Sequence, residues 1–254
     1  MNYTVRLDSI LVKNNVTSER RVRRFLQTHD VMVNDKRVFM GGSLFDLWND
    51  TVSIDGRILE ITRDVYLMMN KCAGTVCSSL DGDDRSVLDG IDKDLLYPSN
   101  LPPLHMVGRL DKDTEGLLIL TTDGELSHKL TDPESHISKT YYVRLKNPVC
   151  HEEKLAYIQK CRSGFFIPRE KMESSFTCKS SSLEFIDDIS CYLTITEGKF
   201  HQVKRMFMAL GNEVTYLKRE KMSLLKLDPM LKSGEYRHLT SDELCLLTYR
   251  SVEL

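Results

Sequence analysis

The chain of 254 residues lacks several features that mark particular classes of protein. Its longest apolar runs, such as residues 117–120, span only a few positions, so no segment is long enough to cross a bilayer. The N-terminal residues 1–25 do not contain the continuous apolar stretch of a secretory signal peptide. The 7 cysteines are scattered and odd in number, and no two of them form Cys-x-x-Cys. We therefore expect a cytoplasmic protein with reduced thiols, and no disulfide framework, zinc site or membrane partner.

Nucleotide-binding fingerprints and an overall excess of positive charge are missing as well. Neither Gly-x-Gly-x-x-Gly nor Gly-x-x-x-x-Gly-Lys-Ser/Thr occurs in the sequence. The formal net charge is −2, but the basic residues are concentrated in two places. Four arginines fall within residues 19–24, and six Lys/Arg against three Glu fall within residues 197–221, whereas residues 81–94 are acidic. Such a distribution is compatible with a nucleic acid partner, because local charge decides binding.

The most informative segment is GRLDKDTEGLLILTTDG, residues 108–124. Asp111 lies beside Arg109 in a short polar stretch, and the apolar run that follows ends in an Asp-Gly turn. The pattern predicts a strand with turns at both ends and a carboxylate at its entrance, which is how a rigid scaffold holds a catalytic acid. A turn carboxylate that binds nearby backbone N–H groups is the alternative. A calcium loop is disfavoured, because its twelfth position is Thr122 instead of Glu.

Residues 1–63 are predicted to form a small N-terminal module of two helices followed by short strands. The first helix should begin near Arg6, and Ser18 is the candidate N-cap of the second. Residues 31–38 and 51–59 each read as a strand, a tight turn and a return strand. The exposed sides of the second helix should carry four arginines: Arg20, Arg21, Arg23 and Arg24.

Residues 64–254 are predicted to form an α+β domain with a mixed, largely antiparallel central sheet. The apolar patterns predict strands at 65–70, 117–122, 140–146 and 191–196, and helices near 124–131, 151–161, 201–210 and 241–247. Residues 240–243, Thr-Ser-Asp-Glu, form a capping box. The serine-rich stretch 174–182 reads as a surface loop.

The helix predicted at 201–210 has one apolar and one basic face. At 100° per residue, the apolar face holds Val203, Met206, Phe207 and Leu210, and the opposite face holds His201, Lys204, Arg205 and Met208. Gly211 is expected to end the helix, and Gly198 to allow a turn or a close approach before it. Taken alone, this pattern is typical of any amphipathic surface helix.

Three blocks of the sequence together resemble the RNA pseudouridine synthases. They are residues 108–124, then Lys-Thr-Tyr-Tyr-Val at 139–143, then Glu-Gly-Lys-Phe-His-Gln-Val-Lys-Arg-Met-Phe at 197–207. Their order and spacing agree with the family, in the branch that acts on small-subunit ribosomal RNA, and the resemblance covers nearly the whole chain. It implies a catalytic domain with a mixed central sheet, and it implies that the N-terminal module is an S4 RNA-binding domain.

The resemblance also implies the roles of three residues. Asp111 would be the catalytic carboxylate, which either attacks the sugar carbon or abstracts a sugar proton. Tyr141 would stack on the target base, while Tyr142, on the other sheet face, suits the core better. Lys204 would be the cation that pairs with Asp111 and keeps it ionised. Moving uracil from an N1 to a C5 link involves no redox change, so we expect no cofactor and no metal.

Further residues are expected to contact RNA. Near the motifs these are Arg109, which is either structural or bound to phosphate, His201, which contacts RNA or bonds at the helix start, and Arg205. In the N-terminal module they are Arg6, Arg20, Arg21, Arg23 and Arg24. The expected partner is ribosomal RNA, from the small subunit or its assembly intermediate, with a monomeric enzyme and no DNA.

Two alternatives stay open at this point. The first is a pseudouridine synthase acting on large-subunit ribosomal RNA, whose relatives typically place Arg where Lys204 stands. The second is a non-catalytic ribosome-assembly factor of the S4 type, which should have lost Asp111, Tyr141 or the motif cation.

Overall fold

The computed structural model describes residues 3–78, 84–170 and 173–248. The chain divides into two compact units. The first unit comprises the chain up to residue 64 with residues 99–101 and 240–245, and the second comprises the remainder. Each unit has a hydrophobic core of its own. Within the described ranges, no helix is both long enough and apolar enough to span a membrane.

Residues 4–58 of the first unit form two short helices and six short strands. The predicted helices are present, but Ser18 does not cap the second one, so that prediction was wrong. The helix begins at Val22 after an N-cap at Arg21 that makes no side-chain capping bond, and the Ser18 carbonyl accepts the first turn's N–H groups instead. The elements are β1 (Thr4–Arg6), α1 (Leu7–Lys13), α2 (Val22–Thr28), β2 (Val31–Val33), β3 (Lys36–Arg37), β4 (Leu44–Asp46), β5 (Val52–Ile54) and β6 (Arg57–Ile58).

Two tight hairpins organise the strands of this unit, as predicted. Residues 34–35 and 55–56 all have positive φ angles, which is the backbone of a two-residue turn that matches strand twist. The strands form a sheet in the order β3-β2-β5-β6, and β1 pairs separately with β4. The helices contribute Leu7, Leu11 and Leu26 to the core of this unit, and the strands contribute Val31 and Val52.

The second unit contains the remaining elements. They are β7 (Tyr66–Lys71), α3 (Lys93–Leu96), β8 (His105–Met106), β9 (Glu115–Thr121), α4 (Gly124–Thr131), a 3-10 turn (Pro133–Ser135), β10 (Lys139–Leu145), α5 (His151–Ser163), β11 (Phe166–Ile167), β12 (Phe176–Thr177), β13 (Ser182–Phe185), β14 (Ser190–Ile195), α6 (Gln202–Ala209), β15 (Val214–Met222), β16 (Leu225–Lys226), β17 (Tyr236–His238) and α7 (Ser241–Thr248), the last of which the two units share.

A sheet of nine strands forms the framework of the second unit. Its main order is β13-β14-β10-β15-β9-β7-β17, with β16 beside β15 and β8 beside β9. Among its described pairings only β9 and β15 run parallel, and the others are antiparallel. The predicted α+β class with a mixed, largely antiparallel sheet is therefore confirmed.

Gly116 makes the parallel contact between β9 and β15 possible. Its φ is +100°, and a Cβ atom at this position would lie 2.2 Å from the carbonyl oxygen of Arg219. No side chain fits there without moving backbone, so the glycine is required by close approach. Because β9 begins directly after the loop that carries Asp111, this contact also fixes where that loop ends.

The prediction of a surface loop at 174–182 was wrong in part. The segment contains β12 and the first residue of β13, and both Cys178 and Ser181 are buried. Their backbone N–H groups donate to the carbonyl oxygens of Phe165 and Cys161. A polar composition therefore does not expose this stretch, because its backbone groups find partners inside the unit.

Candidate active site

A pocket in the second unit is built around Asp111. The carboxylate lies in the loop between β8 and β9, and the backbone N–H of Thr114 closes a turn on the Asp111 carbonyl at 3.1 Å. The side chain of Asp111 is 28% exposed, so it is held by the loop and still accessible. The pocket has a volume of about 470 Å³ and is lined by Ala73, Gly74, Asp111, Lys112, Asp113, His201 and Lys204.

The pocket brings Asp111 and Lys204 together, although 93 positions separate them in the sequence. Nζ of Lys204 lies 3.0 Å from Oδ2 of Asp111 and 2.5 Å from Oδ1 of Asp113. Helix α6 produces this placement, because its apolar side chains enter the core and leave Lys204 on the side of the pocket. One ammonium group therefore bridges two carboxylates.

The contact between Lys204 and Asp113 favours the charged form of each group. Burial by itself lowers the pKa of Lys204, but hydrogen bonds and charge from Asp113 and Asp111 outweigh it and raise that pKa. Burial likewise raises the pKa of Asp113, yet the hydrogen bond and charge of Lys204 dominate and lower it. Lys204 thus stays protonated at neutral pH and can hold Asp111 in one orientation.

His201 is the third predicted residue in the pocket wall. Its Nε2 atom lies 3.8 Å from Oδ1 of Asp111. The residue stands at the N-cap of α6, but its side chain makes no capping hydrogen bond, so the helix-start alternative was wrong. Gly211 has φ +90° just beyond the end of α6, as predicted. A Cβ at Gly198 would meet nothing within 4 Å, so the expected close approach there is absent.

Arg205 does not lie on the exposed face of α6, so its predicted position was wrong. Its side chain is only 3% exposed, and its guanidinium group donates to the carbonyl oxygens of Pro168 and Ser174. It also stacks over the ring of Phe176 at 4.7 Å. The segment that contains β11 and β12 therefore covers this side of the helix, and Arg205 anchors that segment instead of facing RNA.

Of the two tyrosines of β10, Tyr141 is the more buried, which is the reverse of the prediction. Tyr141 is 8% exposed and belongs to the main core, and among the described residues it is not part of the pocket wall. Tyr142 is half-buried on the other sheet face, where its ring contacts Tyr192 and Tyr216 edge-on at 5.9 and 6.1 Å. The prediction that Tyr142 is the better core residue was wrong.

The sequence analysis missed Lys71, which positions the Asp111 loop. The side chain is fully buried, and Nζ donates to the carbonyl oxygens of Thr114 at 2.8 Å, Cys72 at 3.1 Å and Lys112 at 3.3 Å. Burial lowers the pKa of this ammonium group. A lysine at the end of an apolar strand was the available signal, since such a residue needs partners when it is buried.

A second buried cation supports the strand that follows the loop. Arg219 is 3% exposed, and its Nε donates to the carbonyl oxygen of Leu117 at 2.7 Å. Burial, together with the positive charge of Arg219, lowers the pKa of Lys139 to about 8. Arg109 and the first unit's arginines at positions 6, 20, 21, 23 and 24 are exposed, and Arg6 pairs with Asp8 at 2.6 Å.

The described residues contain no group of three His, Cys, Asp or Glu side chains arranged for a metal ion.

Known proteins share both the sequence and the fold of this chain. The family model for RNA pseudouridylate synthases matches residues 65–209. The chain is 38% identical over 247 residues to the uncharacterised RNA pseudouridine synthase YtzG of Bacillus subtilis, covering 96% of this chain and 98% of that protein. It is 39% identical over 241 residues to ribosomal small subunit pseudouridine synthase A of Pasteurella multocida, covering 94% and 98%. A crystal structure of a pseudouridylate synthase matches with a TM-score of 0.64 and 37% identity, over 96% of this chain and 100% of that one.

Proposed function

This chain belongs to the RNA pseudouridine synthases, and we propose that it isomerises a uridine of small-subunit ribosomal RNA to pseudouridine. Membership of the family makes it an RNA-modifying enzyme whose reaction breaks the C1′–N1 bond and joins C5 to C1′. Small-subunit RNA as the substrate is supported by two related proteins, one from Pasteurella multocida and one from Haemophilus influenzae, that are both named ribosomal small subunit pseudouridine synthase A. Ribosomal RNA as the substrate also supports a cytoplasmic location.

The observation that carries the proposal is the bridge between Asp111 and Lys204. We assign Asp111 as the catalytic carboxylate, because it is the more buried of the two acids on Lys204, 28% exposed against 72% for Asp113. A carboxylate in this position can attack the sugar or remove a sugar proton. In either case the ammonium group of Lys204 holds the carboxylate in place. Asp111, Lys204 and His201 bring a carboxylate, a cation and an imidazole into one pocket.

Tyr141 is proposed to stack on the target base. The support is the strand register: Tyr141 pairs with Arg219, and Arg219 pairs in turn with Gly116. The tyrosine therefore lies in the same row as the first residues after the Asp111 loop. An aromatic ring can replace the stacking that a uracil loses when it leaves the RNA helix.

The first unit is proposed to be an S4 RNA-binding domain of residues 1–63 that adds affinity and takes no part in the chemistry. Its support is the set of exposed arginines on and before α2: Arg20, Arg21, Arg23 and Arg24. Arg6 and Arg109 are proposed as additional phosphate contacts, because both side chains are exposed.

The target is tested by mapping pseudouridine across ribosomal RNA from cells with and without this gene. We expect a single small-subunit position to lose its modification when the gene is deleted. Loss of a large-subunit position instead would replace the proposed substrate, and loss of none would point to the non-catalytic alternative.

The catalytic assignment is tested with Asp111→Asn, which keeps the side-chain shape and removes the charge. Tritium release from RNA labelled at C5 of uridine should fall by at least ~100-fold, with RNA affinity little changed. Asp113→Asn is the matched control, because Asp113 also bonds to Lys204 but is mostly exposed. If the two variants lose activity equally, Asp111 has no special role.

A further inference from the structure

We propose that the rings of Phe200 and His201 form a stacking platform for an RNA base that flanks the target uridine. This inference rests on the proposed function, because it concerns the RNA around the same pocket. The two rings lie nearly parallel, with centroids 3.8 Å apart and an interplanar angle of 19°. Stacked aromatic side chains are the usual means by which proteins hold unpaired bases.

The position of the platform decides which base it takes. His201 is part of the pocket wall and lies 3.8 Å from Asp111, whereas Phe200 is not among the described lining residues. Phe200 is 53% exposed even though His201 covers one face of its ring. The stack therefore runs from the wall outward to the surface. The target base has to reach Asp111 inside the pocket, so the outer ring is left for a neighbouring base.

The platform is held in place from beneath by a buried pair of side chains. Gln202 and Glu197 are 4% and 7% exposed, and Nε2 of Gln202 donates to Oε1 of Glu197 at 2.6 Å. Oε1 of Gln202 accepts from the backbone N–H of Lys199 at 2.9 Å, and the backbone N–H of Gln202 donates to the Lys199 carbonyl. These bonds close the turn that carries Phe200, so its ring is positioned before any RNA binds.

The backbone conformation of His201 is a second observation that points to a functional role for the stacked rings. Its φ and ψ angles are 47° and 29°, in the left-handed region that side chains with a Cβ rarely adopt. A glycine would relieve this conformation, but it would remove the ring on which Phe200 stacks. Strained backbone of this kind clusters at functional sites.

Base flipping gives the platform a physical purpose. When the target uridine leaves its stack, the adjacent base loses a neighbour, and this loss is part of the cost of flipping. A rigid aromatic ring at the mouth of the pocket restores the lost contact. Because every base has a flat apolar face, the platform needs no particular flanking sequence.

The test uses full-length protein and short RNAs that contain the mapped target uridine. 2-Aminopurine is placed on its 5′ or its 3′ side, and Asp111→Asn in every variant prevents turnover during binding. Stacking quenches 2-aminopurine fluorescence. We therefore expect protein binding to lower the fluorescence, relative to the free RNA, at one of the two positions. Phe200→Ala should remove that quenching and weaken RNA binding by about tenfold, while Phe200→Tyr should retain both. Leu155→Ala is the control, because Leu155 is similarly exposed, at 56%, on α5.

An abasic nucleotide at the quenched position completes the test. Phe200→Ala should then cost no affinity, because the partner of the ring is already absent. The inference is overturned if wild-type Phe200 gives no quenching on either side, or if Phe200→Ala weakens binding to the abasic RNA equally. Protein without the Asp111 substitution is assayed in parallel. If it forms pseudouridine and quenching is absent, only this inference fails, and if it forms none in ribosomal RNA, the proposed function and this inference fail together.

Discussion

Positive charge has different surroundings in two regions of the molecule. On and before α2, four arginines within residues 19–24 are all exposed. In the second unit, by contrast, four cations on β7, α6 and β15 are buried or mostly buried, and each has fixed partners: Lys71, Lys204, Arg205 and Arg219. Exposed cations attract RNA phosphates through a field that salt weakens. Buried cations instead fix the position of specific groups, since an unpaired charge in the interior is costly.

The largest effect should follow from removing the cation of the pocket. Lys204→Met leaves the Asp111 carboxylate without the ammonium group that holds it in place, so kcat should fall by at least about 100-fold. Lys204→Arg should recover part of the loss, because it restores the charge. The measurement is single-turnover pseudouridine formation at saturating enzyme.

A matched lysine shows whether this loss is specific. Lys154 pairs with Asp188 at 2.6 Å and is 20% exposed, close to the 22% of Lys204, but it lies on α5. Lys154→Met should leave kcat within about twofold of wild type, because a surface ion pair contributes little. Equal losses from both substitutions would mean that any paired, partly buried lysine affects kcat, and the assignment of Lys204 would be lost.

The next effect concerns the framework that holds the buried cations. Gly116→Ala places a methyl group 2.2 Å from the Arg219 carbonyl at a φ of +100°. Combined strain and overpacking should lower the free energy of unfolding by about 3 kcal/mol or more. Chemical denaturation measures the change. Gly124→Ala is the control and should be neutral, because a Cβ there meets nothing within 4 Å. A fully stable Gly116→Ala protein would show that β9 and β15 can separate without cost.

Arg205→Met should mainly lower the stability of the protein, whereas Lys204→Met should mainly lower its turnover. Arg205→Met removes the donor for the carbonyl oxygens of Pro168 and Ser174, and lost bonds of this kind cost about 1–3 kcal/mol. We expect a lower free energy of unfolding and faster proteolysis within residues 166–177, with kcat reduced much less than in Lys204→Met. Arg162→Met, at an exposed position of α5, should change neither. A variant with normal stability and no turnover would show that Arg205 acts in the reaction and not in the fold.

The contrast between Lys204 and Arg205 also shows how much of the site could be predicted from the sequence. The helical period placed Lys204 away from the core, as observed, and it placed Arg205 beside it on the exposed side. That second placement failed because a helical wheel describes one helix only, whereas Pro168, Glu170 and Ser174 contact Arg205 on that flank. Strand alternation likewise separated Tyr141 from Tyr142 but did not say which sheet face is the covered one.

Elements with strong local signals were predicted closely. The helix at Gly124–Thr131 and the capping box at Thr240 and Glu243 follow from turn and capping residues next to them in sequence. Lys71 shows the opposite situation. Two of its three carbonyl partners belong to residues 112 and 114, so the residues next to Lys71 in the sequence do not indicate them. The meeting of Asp111 with Lys204 was expected only through the resemblance between motifs.

The smallest effect should come from the exposed arginines taken one at a time. Arg24→Gln is expected to reduce the slope of log K against log salt by ~0.7–0.9, which is the release of counterions from about one phosphate contact. Between 50 and 200 mM salt the affinity of the variant for small-subunit RNA should therefore fall roughly threefold less than that of wild type. Folding and kcat should not change, because the side chain is exposed on α2. Arg162→Gln, an exposed arginine on α5, serves as the control and should leave the slope unaltered. An unchanged slope in Arg24→Gln, and in the corresponding variants of the other three arginines, would show that exposure alone does not make this cluster an RNA contact. The proposed division between cations that attract RNA and cations that position groups would then hold only for the second unit.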